Sequence, residues 1–213
     1  MQWALIGIAV VGVLLAYIVW QGMRAANKYR ELAAAGDIPT IRLIVDEALA
    51  EWRSGRPPKG LPPTVWVGVQ TMEVVDVGPD YVQVSCNAEG EYKMVEGRWL
   101  ETKSPLQEAM AIAAKATEML FYELPHLKLD RVVVDVYTTY RDPDDAGARR
   151  ERILACDARR EDAREVDWDA WTPQQITERL GARYRLGEHG QALPLSPNGG
   201  TAQPQVEGPQ AAL

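Results

Sequence analysis

The run from Trp3 to Trp20, WALIGIAVVGVLLAYIVW, holds 18 residues without a charge. As a helix it extends about 27 Å, close to the roughly 30 Å of a bilayer's hydrocarbon core. Trp3 and Trp20 close its two ends, where amphipathic rings favour the headgroup regions. A cleaved signal peptide places Lys or Arg ahead of a shorter apolar stretch, with small residues soon after it. Only Met1 and Gln2 precede this run, and the A-x-A at 33–35 lies far beyond it. The run therefore reads as a retained, single-pass signal-anchor. Arg24, Lys28 and Arg30 all follow it, which predicts an N-terminus outside and the bulk of the chain in the cytoplasm. Gly12 and Ala16, four apart, give a second helix room to approach.

The charge is unevenly spread. Residues 1–36 sum to +2, residues 187–213 to −2 and the 150 residues between them to −7. An acidic domain with no basic stripe interleaved with aromatics repels phosphate backbones, so nucleic acid is not an expected partner.

Beyond the anchor, MRAANKYRELAAA extends the helix until Gly36, which sets a first unit at 1–36. Asp37 caps a second helix over 37–53, with Ile41, Ile44, Val45, Ala48, Leu49 and Trp52 on one apolar face. Its polar side is mainly acidic, which favours packing on the domain over lying on lipid. SGRPPKGLPP, 54–63, reads as an extended spacer. The domain proper is placed at 64–186.

Within it the period changes to two. VWVGV at 65–69 and MEVVDV at 72–77 read as strands, as does YVQVSC at 81–86, with Val82, Val84 and Cys86 on the core side. EYKMVEGRWLET reads as a further strand interrupted near Gly97. Ser104-Pro105-Leu106-Gln107 opens a long helix with a capping box, running to Glu123 along a stripe from Leu106 to Leu124, and Pro125 ends it. RVVVDVYTTY (131–140) and ERILACDA are read as a strand hairpin joined by the loop RDPDDAGAR. Thr172 repeats the cap, with Trp171 placed to staple on Ile176, and Gly181 closes that last helix. The tail 187–213, with 5 Gly and 4 Pro in 27 residues, is expected to be disordered. The fold expected is α+β: a transmembrane helix, then one domain whose mostly antiparallel sheet of about five strands is covered by the long helix, with a curved sheet enclosing a small pocket as the variant.

Catalytic signatures are sparse. There is no G-x-S-x-G, G-x-G-x-x-G, H-E-x-x-H or C-x-x-C. Glu123 and His126 form one E-x-x-H, but Pro125 interrupts it and no second copy exists. No cofactor or metal is expected. Cys86 and Cys156 read as buried thiols; a bridge between them would suit a domain facing outside, and the arginines around Cys156 would suit a reactive thiol.

Two groups of residues remain as candidates. Asp135 lies in a valine-rich strand on the face of Arg131, Val133, Tyr137 and Thr139. It lines either a wet outer face or, with Tyr137 and His126, a small pocket. Residues 141–165 hold 7 Arg and 8 Asp or Glu, and Arg149, Arg152, Arg160 and Trp168 form a candidate protein-binding surface. The function expected is that of a membrane-anchored, non-enzymatic scaffold, binding protein partners in a membrane complex or a homo-oligomer. The alternatives are a small-molecule-binding or catalytic module around Asp135 and Tyr137, and an envelope protein with its domain outside.

Overall fold

The computed structural model describes residues 28–95, 97–124, 126–141, 148–188 and 190–195, together with Gly12, Tyr17, Trp20 and Gln21. Among these, no helix is long and apolar enough to cross a membrane. The run from Trp3 to Trp20 lies almost wholly outside the described residues, as do Arg24, Pro125, the loop 142–147 and the tail from 196.

The helix at 28–34 stops where expected. Gly36 takes φ 83°, its N–H donates to Ala33 O, and the Asp37 N–H reaches back to Leu32 O, the paired closure that a left-handed residue allows. Asp37 then caps α1, Ile38–Ser54, accepting from the Thr40 N–H at 3.1 Å. Ile41, Val45 and Leu49 of α1 are buried against the domain. The proline-rich segment is shorter than expected and joins two packed helices. Pro63 opens α2, Pro63–Gln70, and the Trp66 indole and Gln70 amide of α2 donate to the backbone of Gly55 and Arg53.

Helix α2 corrects the strand expected from VWVGV. Val65, Trp66 and Val69 are buried while Val67 is 58% exposed, so the run turns one side to the core with helical spacing. A short apolar run cannot reveal its own period, and Pro63 at the first helical position decides the outcome.

Strands β1 (Glu73–Val77) and β2 (Tyr81–Asn87) pair antiparallel. Strands β3 (Glu91–Val95) and β4 (Arg98–Lys103) turn at Gly97, φ 78°, and form a separate two-stranded sheet, where one interrupted strand was expected. Helix α3, Pro105–Tyr122, carries the capping box between Ser104 and Gln107. It crosses over to β5 (Arg131–Arg141), which pairs parallel to β2. β6 (Ala148–Arg159) returns antiparallel, and α4 (Arg160–Ala163) and α5 (Pro173–Arg179) follow. β7 (Arg183–Leu186) and β8 (Ala192–Leu193) complete the sheet.

The architecture is α+β, with a six-stranded mixed sheet ordered β1-β2-β5-β6-β7-β8. The sheet thus has one more strand than expected, and one of its pairings, β2 with β5, is parallel while the others are antiparallel. The reason is the α3 crossover, which brings β5 in beside β2 in the same direction. Ordered chain also reaches past residue 187: β8 pairs with β7, Ala192 O accepts from the Tyr140 hydroxyl, and the Leu195 N–H donates to Arg152 O.

One core lies between the helices and one sheet face. Val82, Val84 and Cys86 of β2, Val132, Val134 and Val136 of β5, and Leu154, Cys156 and Ala158 of β6 all point into it. Helix α3 is buried on nearly every side. Burying the whole of a Val or Leu side chain contributes about 1.5–3 kcal/mol, so this face supplies most of the domain's cohesion. The described helices leave the other face of the sheet uncovered.

Candidate functional site

The uncovered face is built by strand alternation. Tyr81, Gln83 and Ser85 of β2, Arg131, Val133 and Asp135 of β5, Ala155 and Asp157 of β6, and Arg183 of β7 share it through the cross-strand register. A shallow groove of about 290 Å³ runs over it, lined among others by Gln83, Arg131, Asp135, Arg152, Asp157 and Arg183.

Asp135 lies at the bottom, 3% exposed. Gln83 Nε2 donates to one carboxylate oxygen at 2.7 Å and Arg152 Nη1 to the other at 3.1 Å. The second contact depends on a register shift after Val136, which places Arg152 opposite Tyr137 and leaves Ile153 as the extra residue. A buried carboxylate keeps its charge only with such partners. With both oxygens engaged, Asp135 positions Gln83 and Arg152 on this face.

Three further contacts continue the pattern. Arg131 Nε and Nη2 each donate to an Asp157 oxygen at 2.6 Å, and this guanidinium holds the Asp157 carboxyl below its ordinary value. The Tyr81 hydroxyl donates to Asp76, which pushes the phenol up and the carboxyl down. Arg150 Nε donates to Asn87 Oδ1 at 2.9 Å, with its guanidinium 4.4 Å over the Tyr137 ring. The result is a flat face of fixed charges and donors, suited to recognition.

The structure brings together some of the candidates and separates others. Asp135 and Arg152, assigned by sequence to a pocket and a surface respectively, form one pair. Tyr137 is on the same face under Arg150 but is not among the groove-lining residues. His126 is exposed in the α3–β5 connection and takes no part in the groove. Helix α3 ends at Tyr122, so Glu123 and His126 share no helical face, and no group of three potential metal ligands occurs among the described residues.

The candidate surface divides in the same way. Arg149 is exposed on β6. Arg160 turns inward: its guanidinium lies 5.0 Å from the Phe121 ring, and it donates to the carbonyls of Leu129 and Phe121. It is a clamp between α3 and the β5 entry, which corrects its place on a surface. Trp168 is half-buried, 6.0 Å edge-on from Tyr122, with its indole nitrogen buried and unpartnered. Of the anchor residues, Trp20 is exposed beside Tyr17 at 6.3 Å, Lys28 and Arg30 are exposed, and Trp3 and Arg24 lie outside the described residues.

Both cysteines are free and buried, and burial pushes each thiol up to about 12. Cys86 pairs with Val136 and Cys156 with Val134, on opposite sides of β5. Two strand spacings of about 4.8 Å separate them, beyond the roughly 7 Å that a disulfide can span. The bridge and the reactive thiol are both overturned. Sequence reasoning missed Gln83, Asp157 and Arg183, because only strand pairing brings them beside Asp135 and Arg131. It also missed Glu108, 2% exposed in the first turn of α3 with both carboxylate oxygens unpartnered.

Comparison with protein-family models, curated proteins and solved structures finds no match to this chain. The functional reading rests on its own geometry.

Proposed function

We propose that the chain is a single-pass, membrane-anchored scaffold protein, non-enzymatic, whose domain faces the cytoplasm and meets protein partners through the uncovered sheet face. The observation that carries this reading is the junction at residues 33–36. Ala33 is 4% exposed within the core, and a Cβ on Gly36 would stand 3.2 Å from Pro79 Cβ in the β1–β2 turn. The helix at 28–34, which follows the apolar run in sequence, therefore ends against the domain itself. An apolar anchor ahead of it would hold a recognition face close to lipid. The arginine–aspartate pairs of that face supply electrostatic complementarity, which governs specificity and encounter rate.

The test is alkaline extraction of native membranes, with protease protection of sealed vesicles. The full chain is expected in the pellet with its domain digested only from the cytoplasmic side, and deletion of residues 3–20 should release it. Recovery of the intact chain in the alkaline wash overturns the reading. Protection of the domain on the cytoplasmic side instead favours the outward-facing alternative, to which the two separated thiols lend no support.

The groove beside Asp135 favours a second reading, in which it holds a small polar ligand. An anion would meet Arg183 at the groove's edge. A thermal-shift panel of small carboxylates and phosphates against the full chain and Arg183→Ala tests it. Stabilisation lost in the variant supports this reading, and no shift with any of them overturns it.

A further inference from the structure

The uncovered face carries a charge gradient across its strands. One cross-strand row reads Glu73, Ser85, Asp135, Ala155, Arg183 from β1 to β7. Its two ends are exposed and of opposite sign, and its centre is a carboxylate already neutralised by Arg152. Exposed Asp76 joins Glu73 on β1, while exposed Arg150 and Arg159 join Arg183 on the β6–β7 side.

We propose that this face is the interface of a face-to-face homodimer, in which the β1 edge of each copy lies over the β7 edge of the other. The inference deepens the assembly reading above and takes from it the requirement that both anchors enter one membrane. A closed dimer needs an isologous, self-complementary patch. A two-fold axis lying in the interface and running along β5 provides one. It sets exposed Glu73 against exposed Arg183 of the second copy, and it puts β5 on the axis, so that Val133 and the Arg152-paired Asp135 each lie over their own equivalents while Ser85 and Ala155 stay buried beneath the longer side chains. The same axis leaves both Gly36–Pro79 junctions at one end of the assembly, because it does not reverse the strand direction. An axis across the strands would set Glu73 over Glu73 and Arg183 over Arg183, and would send the two anchors to opposite ends. Charge and tether therefore select the same axis.

The area is sufficient. Five strands at about 4.8 Å and seven residues at about 3.3 Å make a face of roughly 550 Å². Two such faces bury roughly 1,100 Å² in total, above the roughly 1,000 Å² that a specific interface needs. Sheets stacked this way pack about 10 Å apart, and burying paired charges of both signs suits an interface that forms at the membrane rather than an obligate core.

The test uses the full chain in detergent micelles and in nanodiscs. Glu73→Cys combined with Arg183→Cys should be joined between chains by a short bis-maleimide, because facing positions on sheets about 10 Å apart are too distant for a direct disulfide, while either substitution alone should not, because residue 73 faces residue 183 and not itself. The native thiols are buried and do not compete. Light scattering supplies a second measurement: Glu73→Arg and Arg183→Glu should each weaken the dimer by about tenfold or more, and the two together should restore it. A monomer at every concentration, or crosslinking equally strong in the single-cysteine chains, overturns the proposal. Failure of the anchor reading would look different, since the bis-maleimide crosslink would then form in a chain that the alkaline wash releases.

Discussion

Arg152 reaches the buried carboxylate of Asp135 at 3.1 Å only because the β5–β6 register skips Ile153. With Gln83 on the other oxygen, Asp135 is the most constrained polar group of the open face. Removing Arg152 would leave a buried carboxylate with one neutral donor. We expect Arg152→Met to lower unfolding stability by about 2–4 kcal/mol in urea titrations. Asp135→Asn, which keeps an acceptor for Gln83, should cost less. An Arg152→Met loss under about 0.5 kcal/mol would contradict this account of the face.

Acid titration of the fold should register Asp157. The Arg131 guanidinium depresses its folded value below the ordinary carboxylate range. Its contribution is therefore complete above the unfolded value of about 3.9 and is lost as pH falls through the folded value. Thermal melts should decline as pH falls below about 4, and Arg131→Met should flatten that decline. The pair is half-exposed, so screening limits the difference to at most about 1 kcal/mol.

Gly68 of α2 lies against α3. A Cβ there would stand 2.1 Å from Ile112 Cδ1 and 3.0 Å from the Asn87 carbonyl oxygen. Gly68→Ala should destabilise the domain by about 1–3 kcal/mol through overpacking. Its effect should be smaller in an Ile112→Ala background, where the main obstacle is gone. A double-mutant cycle by chemical denaturation measures the coupling.

Glu108 gives the opposite sign. Both of its oxygens are buried without a partner in the first turn of α3. Glu108→Gln removes a buried carboxylate that accepts no hydrogen bond and has only the N-terminal end of α3 to favour it, and should raise the melting temperature by a few degrees, an effect of about 1 kcal/mol. A lower melting temperature would show that the carboxylate has a partner in the folded protein.

How much of this was legible beforehand varies with the range of the interaction that decides it. The capping boxes at Ser104–Gln107 and Thr172–Gln175, the stop at Gly36 and the inward valines of β2 and β5 were all readable, because each depends on residues within one turn or one alternation of the chain. The run VWVGV was misread because five apolar residues fit either period, and what settles α2 is Pro63 at its first helical position. Residues 91–102 were read as one strand interrupted near Gly97; the turn there was legible, but nothing local says that β3 and β4 leave the main sheet. Asp135 stood out as a carboxylate among valines, but its partners Gln83 and Arg152 lie 52 and 17 residues away. Arg160 was misplaced because its position in a charged stretch concealed its contact with Phe121.

From the chain alone came the apolar opening run, the α+β class, the amphipathic α1, the two caps and the burial of both cysteines: all are consequences of composition, spacing and intrinsic backbone preference. Strand order was decided only by the tertiary structure. Setting β5 between β2 and β6 places Arg131 against Asp157 and Asp135 between Gln83 and Arg152, and the full strand order puts Glu73 and Arg183 at opposite ends of one row. Side-chain periodicity tells each strand which way to face, but which strands lie together depends on the burial of α3, a property of the whole core.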